Sequence, residues 1–486
     1  MSFMELNEKC GIFGIYSPRE EIFPYLYWGM LAQNHRGHQS HGFATYHDGL
    51  KYYTELGLIP PIKEPGKDSR VKILPGRIGI ANVRYTTSGS SDYDALCLDA
   101  MPILSHGEKS SVVISFNGNI VNVRELQELA GVSKDTSDSH ALAALIVQKY
   151  ERTDSLYEAV KELMEVTDGA YSITGILDDG TLFACKDPLG IKPLCYGFYD
   201  GIFAFSSEST GLAINGIDWQ RELRPGELLI VKDGTMSQVQ VFPSKRQAFC
   251  AFEFAYFSRP DSRYNGRYVY QVRRELGAAL ARIYKEAVDR CEIVVCLPES
   301  AIDAAYGFHE ESGLRWEMAL RRHRYVSQRA FITDGVDKQS VIYRKHNILA
   351  PKIVGKRIAV VDDSIVRGDT MRGNIKRLRD AGAREIHLFI TYPQIIGPCF
   401  YGIDMSSYSE LIGAKMSSEE MAEELGADSV NYMTVDEYIK YTGMRRDQLC
   451  LGCISNEYPT LVAHKIAKEI RDNLVNGGSE VGRAYE

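Results

Sequence analysis

Arg357-Ile358-Ala359-Val360-Val361-Asp362-Asp363-Ser364-Ile365-Val366-Arg367-Gly368-Asp369-Thr370 is the stretch that decides the fold. Its apolar, β-branched start is the pattern of a buried strand. Two adjacent carboxylates, Asp362 and Asp363, end that strand. A short loop with one glycine follows, and a helical pattern begins near Met371. Carboxylates at a strand end suit Mg²⁺ and ribose hydroxyls. Loop amides in front of a helix N-terminus suit a phosphate. An Asp-rich strand-to-helix turn without a ligand is the plainer alternative.

Outward from this stretch, Glu292–Leu297 reads as a buried strand and Ala301–Ser312 as a helix ended by Gly313. Met371–Ala381 reads as a helix stopped by Gly382, and Glu385–Thr391 as a further strand. Alternating strands and helices imply a mainly parallel sheet. Thr460–Val475 is a charged amphipathic helix with a frayed tail after it. Upstream, the polar segment Pro243-Ser244-Lys245-Arg246-Gln247 separates two kinds of sequence. Before it come short strands, Cys10–Tyr16, Arg77–Val83, Ser111–Phe116, Tyr171–Leu177 and Thr181–Lys186. Two helices interrupt them, from Asp138 through Tyr150 and at Ser155–Val166. The chain is therefore divided into an α+β unit, 10–243, and an α/β unit, 244–486.

A chain of 486 residues is long enough for two domains, and 44% apolar with 25% charged residues is a globular composition. A net charge of -8 argues against a nucleic-acid partner. No apolar run is long enough to span a bilayer, and Met1–Lys9 is too polar for a secretory signal. A cytoplasmic location is expected. The ten cysteines are then expected as thiols, nucleophiles or metal ligands rather than disulfides.

Cys10-Gly11-Ile12-Phe13-Gly14 lies close behind the first methionine. Were the leader 1–9 removed, Cys10 would carry a thiol and a free α-amine on one residue. Their reference pKa values, about 8.5 and 7.7–8.0, let the amine serve as the thiol's base at neutral pH. Four segments accompany it: His35-Arg36-Gly37, Val83-Arg84-Tyr85-Thr86-Thr87, Asn117-Gly118-Asn119 and Ser137-Asp138-Ser139. An Asn-Gly at a strand end can offer a side-chain and a backbone N–H to a developing oxyanion. An arginine suits an α-carboxylate and an aspartate an α-ammonium, and Arg84 and Asp138 are the candidates. Each also has a plain reading: hairpin turn for Asn117-Gly118, surface charge for Arg84, helix N-cap for Asp138.

As an ordered set, these motifs resemble the N-terminal-nucleophile glutamine amidotransferases. Asp187-Pro-Leu-Gly-Ile-Lys-Pro-Leu194 and Ser207-Glu208-Ser209 extend the resemblance. It implies a four-layer αββα fold, Cys10 as nucleophile, Asn117 and Gly118 as oxyanion donors, and Arg84 and Asp138 on glutamine. It also implies that Arg36 helps close the glutamine pocket. The Arg357–Thr370 stretch resembles the signature of type I phosphoribosyltransferases. That implies phosphoribosyl pyrophosphate held by Asp362, Asp363, Ser364, Ile365, Val366, Arg367, Gly368, Asp369 and Thr370, with Ser300 of Pro298-Glu299-Ser300 near the pyrophosphate. Mg²⁺ is implied at Ser300, Asp362 and Asp363, and Arg324-Tyr325-Val326 begins what resembles a mobile covering loop. Phe252-Glu-Phe-Ala-Tyr-Phe-Ser-Arg-Pro-Asp-Ser262 and Phe400-Tyr-Gly-Ile-Asp404 complete a match to one family that joins both halves, the amidophosphoribosyltransferases. The implied reaction passes ammonia from glutamine to phosphoribosyl pyrophosphate, giving phosphoribosylamine, glutamate and pyrophosphate at the start of purine synthesis. Purine nucleotides are candidate inhibitors, and a homo-oligomer is expected. A paralogue with another acceptor and a non-catalytic nucleotide-binding regulator are the alternatives.

Cys450-Leu-Gly-Cys453, alone, indicates redox or metal chemistry only weakly. Cys250 and Cys399 stand beside the family landmarks. Some family members carry a [4Fe–4S] cluster at these four positions, and the resemblance implies one here. Zinc in a four-cysteine site is the alternative. The remaining cysteines, Cys97 among them, are expected to be buried thiols. The chain departs from the pattern in places. Asp369 stands where a threonine is usual. The covering loop, Arg324-Tyr-Val-Ser-Gln-Arg-Ala-Phe-Ile332, is one residue longer and lacks its glycine. Asn82 replaces a histidine, and His38 and His41 replace Gln and Ala.

Overall fold

The computed structural model describes residues 10–19, 21–62, 69–85, 93–244, 246–322, 346–405, 407–478 and 480. The first half holds two stacked antiparallel sheets. One runs in the order Asp218–Glu222, Cys195–Tyr199, Ile202–Ser206, Gly11–Tyr16, Ile78–Arg84, Ser40–Tyr46, Leu50–Leu56. The other runs Thr235–Gln240, Glu227–Lys232, Leu182–Lys186, Gly169–Leu177, Ser111–Ile120, Ile103–His106. Ile12, Ile80, Val113, Ile176 and Leu229 fill the space between the sheets. Helix Phe23–Leu31 seals the outer face of the first sheet, packing Phe23, Leu26 and Met30 with Phe13 and Phe43. Helices Asp138–Thr153 and Leu156–Val166 seal the second. The layers are α, β, β, α, as the resemblance implies.

Strand alternation places the key residues. On Ser111–Ile120, Val112, Ile114 and Phe116 join the helix-side core, and Val113 joins the inter-sheet core. By the two-residue period of a strand, Ser115 and Asn117 therefore face the other sheet and the strand that follows Cys10. Asn117 is fully buried there. Asn82 ties the sheets together: its Nδ2 donates to Gly11 O at 3.1 Å and to Phe116 O at 3.2 Å.

The second half is a five-stranded parallel sheet, ordered Arg315–Trp316, Ile293–Cys296, Arg357–Asp362, Glu385–Ile390, Ser429–Tyr432. Ala359, Val361 and Phe389 face helices Val269–Ile283 and Ile302–Ser312, and Ile358, Val360 and Leu388 face helices Asp369–Asp380 and Ser418–Leu425. Burial on both faces explains the unbroken apolar run of the central strand. Its carboxyl end carries Asp362 and Asp363 into the loop before Asp369–Asp380. Open parallel sheets place ligands at such strand ends. One apolar cluster spans both halves, with Val121, Ala170 and Ile191 from the first and Phe252, Phe400 and Tyr438 from the second. The short strands Phe249–Cys250 and Leu449–Cys450 pair in parallel inside it.

Three expectations change. Asn117-Gly118 lies well inside strand Ser111–Ile120, not at a strand end or in a turn, because that strand continues to Ile120 beside Gly169–Leu177. Helices Phe23–Leu31 and Val123–Ala130 appear in a stretch expected to hold few. Cys97, on helix Tyr93–Leu98, is exposed rather than buried. Among the described residues, no helix is long and apolar enough to cross a membrane.

Candidate active site

Cys10 is buried, and its Sγ lies 3.9 Å from the Tyr85 carbonyl. Burial pushes the thiol up, and a backbone hydrogen bond at Tyr85 and the Arg84 guanidinium counter it only in part. On the facing sheet, Asn117 has Oδ1 and Nδ2 both buried without a hydrogen-bond partner among the described residues. Leaving such groups unpaired costs roughly 1–3 kcal/mol each, so this amide is available to a ligand. A Cβ on Gly118 would collide with the Ala170 carbonyl oxygen, so only glycine fits. Val121 N donates to Asp168 O, which fixes the alternation of the ladder. Odd-numbered residues then bond across to Gly169–Leu177, and Gly118 and Ile120 present their N–H groups on the opposite side. There Ile120 N–H meets the Asp138 carboxylate at 3.2 Å. The Gly118 N–H thus faces the same side as Asp138.

Asp138 opens helix Asp138–Thr153 and accepts from Ile120 N and, at 2.8 Å, from Ser139 N. Burial lifts its carboxyl to about 6, although the two N–H donors and Arg84 pull the other way. Arg84, buried at the end of its strand, donates to Asp99 at 3.0 Å and keeps a buried Nη1 without a partner among the described residues. Asp99 also lies 3.5 Å from His140. Asp99 and His140 were not foreseen, and no motif marks them. Gly37 lies against the Arg84 backbone, where a Cβ would clash, which accounts for the His-Arg-Gly turn. Cys10, Arg84, Asn117, Gly118 and Asp138 converge on one side of the sandwich. Thr86 and Thr87 lie outside the described residues.

Arg36, expected to help close the glutamine pocket, sits in a buried ion-pair network. It is buried, and its guanidinium bonds Glu208 at 2.6 Å and Glu253 at 2.8 and 3.0 Å. Its Nε donates to the Cys10 carbonyl at 3.3 Å. Glu208 also takes His35 at 2.8 Å, Ser262 Oγ at 2.5 Å and Arg259 N at 2.9 Å. His35 and Arg36 hold the Glu208 carboxyl far below the usual range despite burial. Asp187 likewise anchors a turn, accepting from Tyr171, Leu189 and Ile191 N–H groups at 2.9–3.1 Å.

In the second half, Asp362 and Asp363 are buried side by side. Burial and the neighbouring charge raise Asp362 well above its ordinary value. Asp363 is raised by burial and held back by Ser300, Ser364 and Arg273. Ser300 Oγ donates to Asp363 Oδ1 at 2.5 Å and Ser364 Oγ to Oδ2 at 2.6 Å. Two adjoining buried carboxylates call for a cation or hydroxyl donors. Ser364–Gly368 then leads to Asp369 at the start of its helix, with Gly368 at φ +83°. The Asp369 carboxylate turns to Arg372, 3.0 Å away, and Arg372 also bonds Glu424 at 2.6 Å. Arg324 lies outside the described residues.

Cys250 and Cys450 are direct partners in the parallel pair, and Cys453 follows within a turn of chain. Cys450 feels Cys250, Cys453 and Cys399 electrostatically, and burial lifts the Cys453 thiol to about 12. Among the described residues, no three His, Cys, Asp or Glu side chains are grouped closely enough to hold a metal ion.

The fold and site define a glutamine amidotransferase joined to a phosphoribosyltransferase-type sheet. A glutamine amidotransferase domain family matches residues 93–213. The chain is 34% identical over 471 residues to the amidophosphoribosyltransferase of Methanothermobacter thermautotrophicus, covering 96% of this chain and 97% of that one. It is 34% identical to the Bacillus subtilis amidophosphoribosyltransferase, covering 94% and 95%. The solved structure of the B. subtilis glutamine phosphoribosylpyrophosphate amidotransferase, complexed with ADP and GMP, matches with a TM-score of 0.82 at 32% identity, covering 93% and 98%. The chain belongs to the amidophosphoribosyltransferase family, and it is an enzyme.

Two outcomes follow from this geometry. The free-enzyme profile of kcat/KM for glutamine should fall by about tenfold per pH unit below the Asp138 value, about 6. Lower pH protonates the carboxylate that would bind an ammonium, so the loss is on the acid side. Initial rates from pH 4.5 to 8 check this, and a flat profile rejects the role of Asp138. Glu253→Ala leaves Arg36 with one carboxylate fewer in a buried site and should cost about 3–5 kcal/mol, read from urea unfolding.

Proposed function

We propose that this chain is a glutamine-dependent enzyme that forms 5-phosphoribosylamine, glutamate and pyrophosphate from glutamine and phosphoribosyl pyrophosphate. The observation that carries the reading is Asn117: a buried amide, unpartnered at both ends among the described residues, facing the strand that follows a buried cysteine. Residues 10–243 form the glutaminase unit and 244–486 the acceptor unit. Removal of 1–9 would free the Cys10 amine. That amine takes the thiol proton, and Sγ attacks the glutamine amide carbon. Asn117 Nδ2 and Gly118 N–H stabilise the oxyanion, the C–N bond breaks, and ammonia leaves with a returned proton. Water then hydrolyses the thioester to glutamate. Arg84 and Asp138 hold the α-carboxylate and α-ammonium. Arg36 acts on the pocket through the Cys10 carbonyl and its two carboxylates.

Ammonia attacks C1 of phosphoribosyl pyrophosphate, the C1–O bond breaks, and pyrophosphate departs. Asp362 and Asp363 orient the ribose hydroxyls, and Ser364–Thr370 cradle the 5′-phosphate. Mg²⁺ fits Ser300, Asp362 and Asp363, whose oxygen donors would hold it, and when bound it neutralises charge on the leaving pyrophosphate. Arg324 would cover the occupied site. Four thiolates from three segments, Cys250, Cys399, Cys450 and Cys453, form the donor set a [4Fe–4S] cluster takes, and they would hold it as a cross-link within the core shared by the two halves. The reading includes a cytoplasmic, homo-oligomeric enzyme inhibited by purine nucleotides.

Cys10→Ala tests the reading. Glutamine-dependent synthesis should fall at least about a thousandfold, and synthesis from added ammonia should persist. Equal loss of both, or loss of neither, rejects it. Arg372 already neutralises Asp369, so Asp369→Thr should leave KM for phosphoribosyl pyrophosphate within about twofold. Arg372→Ala should raise that KM by about fivefold, because it leaves an unpaired carboxylate beside the phosphate. Steady-state kinetics at saturating Mg²⁺ check both.

A further inference from the structure

Arg84 and Asp138, the pair suited to the two ends of an α-amino acid, come from different elements. Arg84 ends strand Ile78–Arg84, and Asp138 opens helix Asp138–Thr153. Asp99 joins the two elements. Its Oδ2 accepts from Arg84 Nη2 at 3.0 Å, and its Oδ1 lies 3.5 Å from His140 Nδ1. His140 stands two residues after Asp138 on the first turn of the same helix, and Ser137 Oγ, 2.9 Å from Nδ1, fixes its ring. The Asp99 backbone is held as well, since its N–H donates to Ala95 O at 3.0 Å at the end of helix Tyr93–Leu98. The other arm of the guanidinium, Nη1, is buried without a partner among the described residues. Arg84 acts electrostatically on both Cys10 and Asp138, so its head lies close to each.

We propose that Asp99 and His140 are positioning residues that set Arg84 and Asp138 at the spacing of an α-amino-acid head. The pocket thereby selects a substrate that carries a carboxylate and an ammonium on one carbon. The inference rests on Arg84 and Asp138 reading those two groups of glutamine. A buried guanidinium without a counter-ion is costly, and Asp99 supplies the counter-ion before the substrate arrives. By taking Nη2, Asp99 also turns the planar fork so that Nη1 is left for the carboxylate. A fork already ordered loses less freedom on binding than one that must be ordered by the substrate. His140 ties the same carboxylate to the helix whose first residue is Asp138. Loss of Asp99 therefore weakens capture of the amino-acid head and spares the chemistry at the side-chain amide.

The test uses the whole enzyme. Asp99→Ala should raise KM for glutamine by about tenfold and keep kcat within about twofold, and His140→Ala should raise KM by about threefold. Asp99→Asn retains an oxygen for Nη2 and should stay within about threefold of the parent KM. Two reagents that alkylate Cys10 separate positioning from a loosened site. The diazoketone analogue of glutamine carries the α-carboxylate and α-ammonium, and its inactivation rate should fall by about tenfold in Asp99→Ala. Iodoacetamide carries neither group, and its rate should stay within about twofold. Asp99→Ser, whose hydroxyl is too short to reach Nη2, takes the same measurements if Asp99→Ala does not fold. An unchanged KM in the Asp99 truncation or in His140→Ala, an Asp99→Asn enzyme as weak as the truncation, or equal slowing with both reagents overturns the inference. An unchanged KM in Arg84→Gln overturns instead the carboxylate assignment on which it rests.

Discussion

The Arg36 guanidinium, closed off from water between Glu208 and Glu253, is the constraint on which the rest of the molecule depends. Arg36 and Glu208 belong to the sandwich, and Glu253 belongs to the turn that begins the second half. Charges taken this far from water must be paired with close to ideal geometry, or the desolvation cost is not recovered. The pairing therefore fixes the second half against the first. Arg273 reinforces it from helix Val269–Ile283, donating to the carbonyls of Phe254, Tyr256 and Ser258 at 2.8–3.1 Å and holding the Glu253 turn in shape. Because Arg36 Nε also reaches the Cys10 carbonyl, the same network helps to locate Cys10.

The sequence made the architecture legible where one period dominated. The apolar run ending in Asp362-Asp363 could only be a doubly covered strand, and it is. Alternation on Ser111–Ile120 also held, but its length was misjudged because Asn117-Gly118 reads locally as a turn. The flanking pairs with Gly169–Leu177 override that preference. Helix Phe23–Leu31 escaped notice because it is apolar nearly all round and shows no polar face to set a period. At the site, Cys10, Asn117-Gly118, Arg84 and Asp138 were each visible within motifs. Asp99 carries no motif, and Glu253 lay inside a quoted motif that gave no sign of its pairing with Arg36. Their partners are distant in sequence, and only the fold brings them together.

Asp369 shows how a departure from pattern is absorbed. A carboxylate in a phosphate loop is unfavourable if it faces the anion. Here it begins the helix, where the macrodipole favours negative charge, and it is paired one turn on with Arg372. Arg372 is in turn shared with Glu424 of the neighbouring helix. The loop amides stay available, and the added charge is spent on the helix surface. The same logic applies to Asn82, which stands where a histidine is usual. A neutral amide can donate to both Gly11 and Phe116 without a titrating group between the sheets.

The charges around Cys10 argue for where its base must come from. Burial raises the thiol, and the Asp138 carboxylate raises it further. Among the described residues the Arg84 guanidinium opposes them, and Asp99 already draws on its charge. Among the described residues, no histidine or lysine hydrogen-bonds the Sγ. A thiol in that setting is a poor nucleophile at neutral pH. An α-amine on Cys10 itself would sit within bonding distance of the sulfur, needs no further side chain, and has a proton affinity close to that of the thiol. A free amine at position 10 would supply the base that the described side chains do not, on the strand facing the proposed oxyanion donors Asn117 and Gly118.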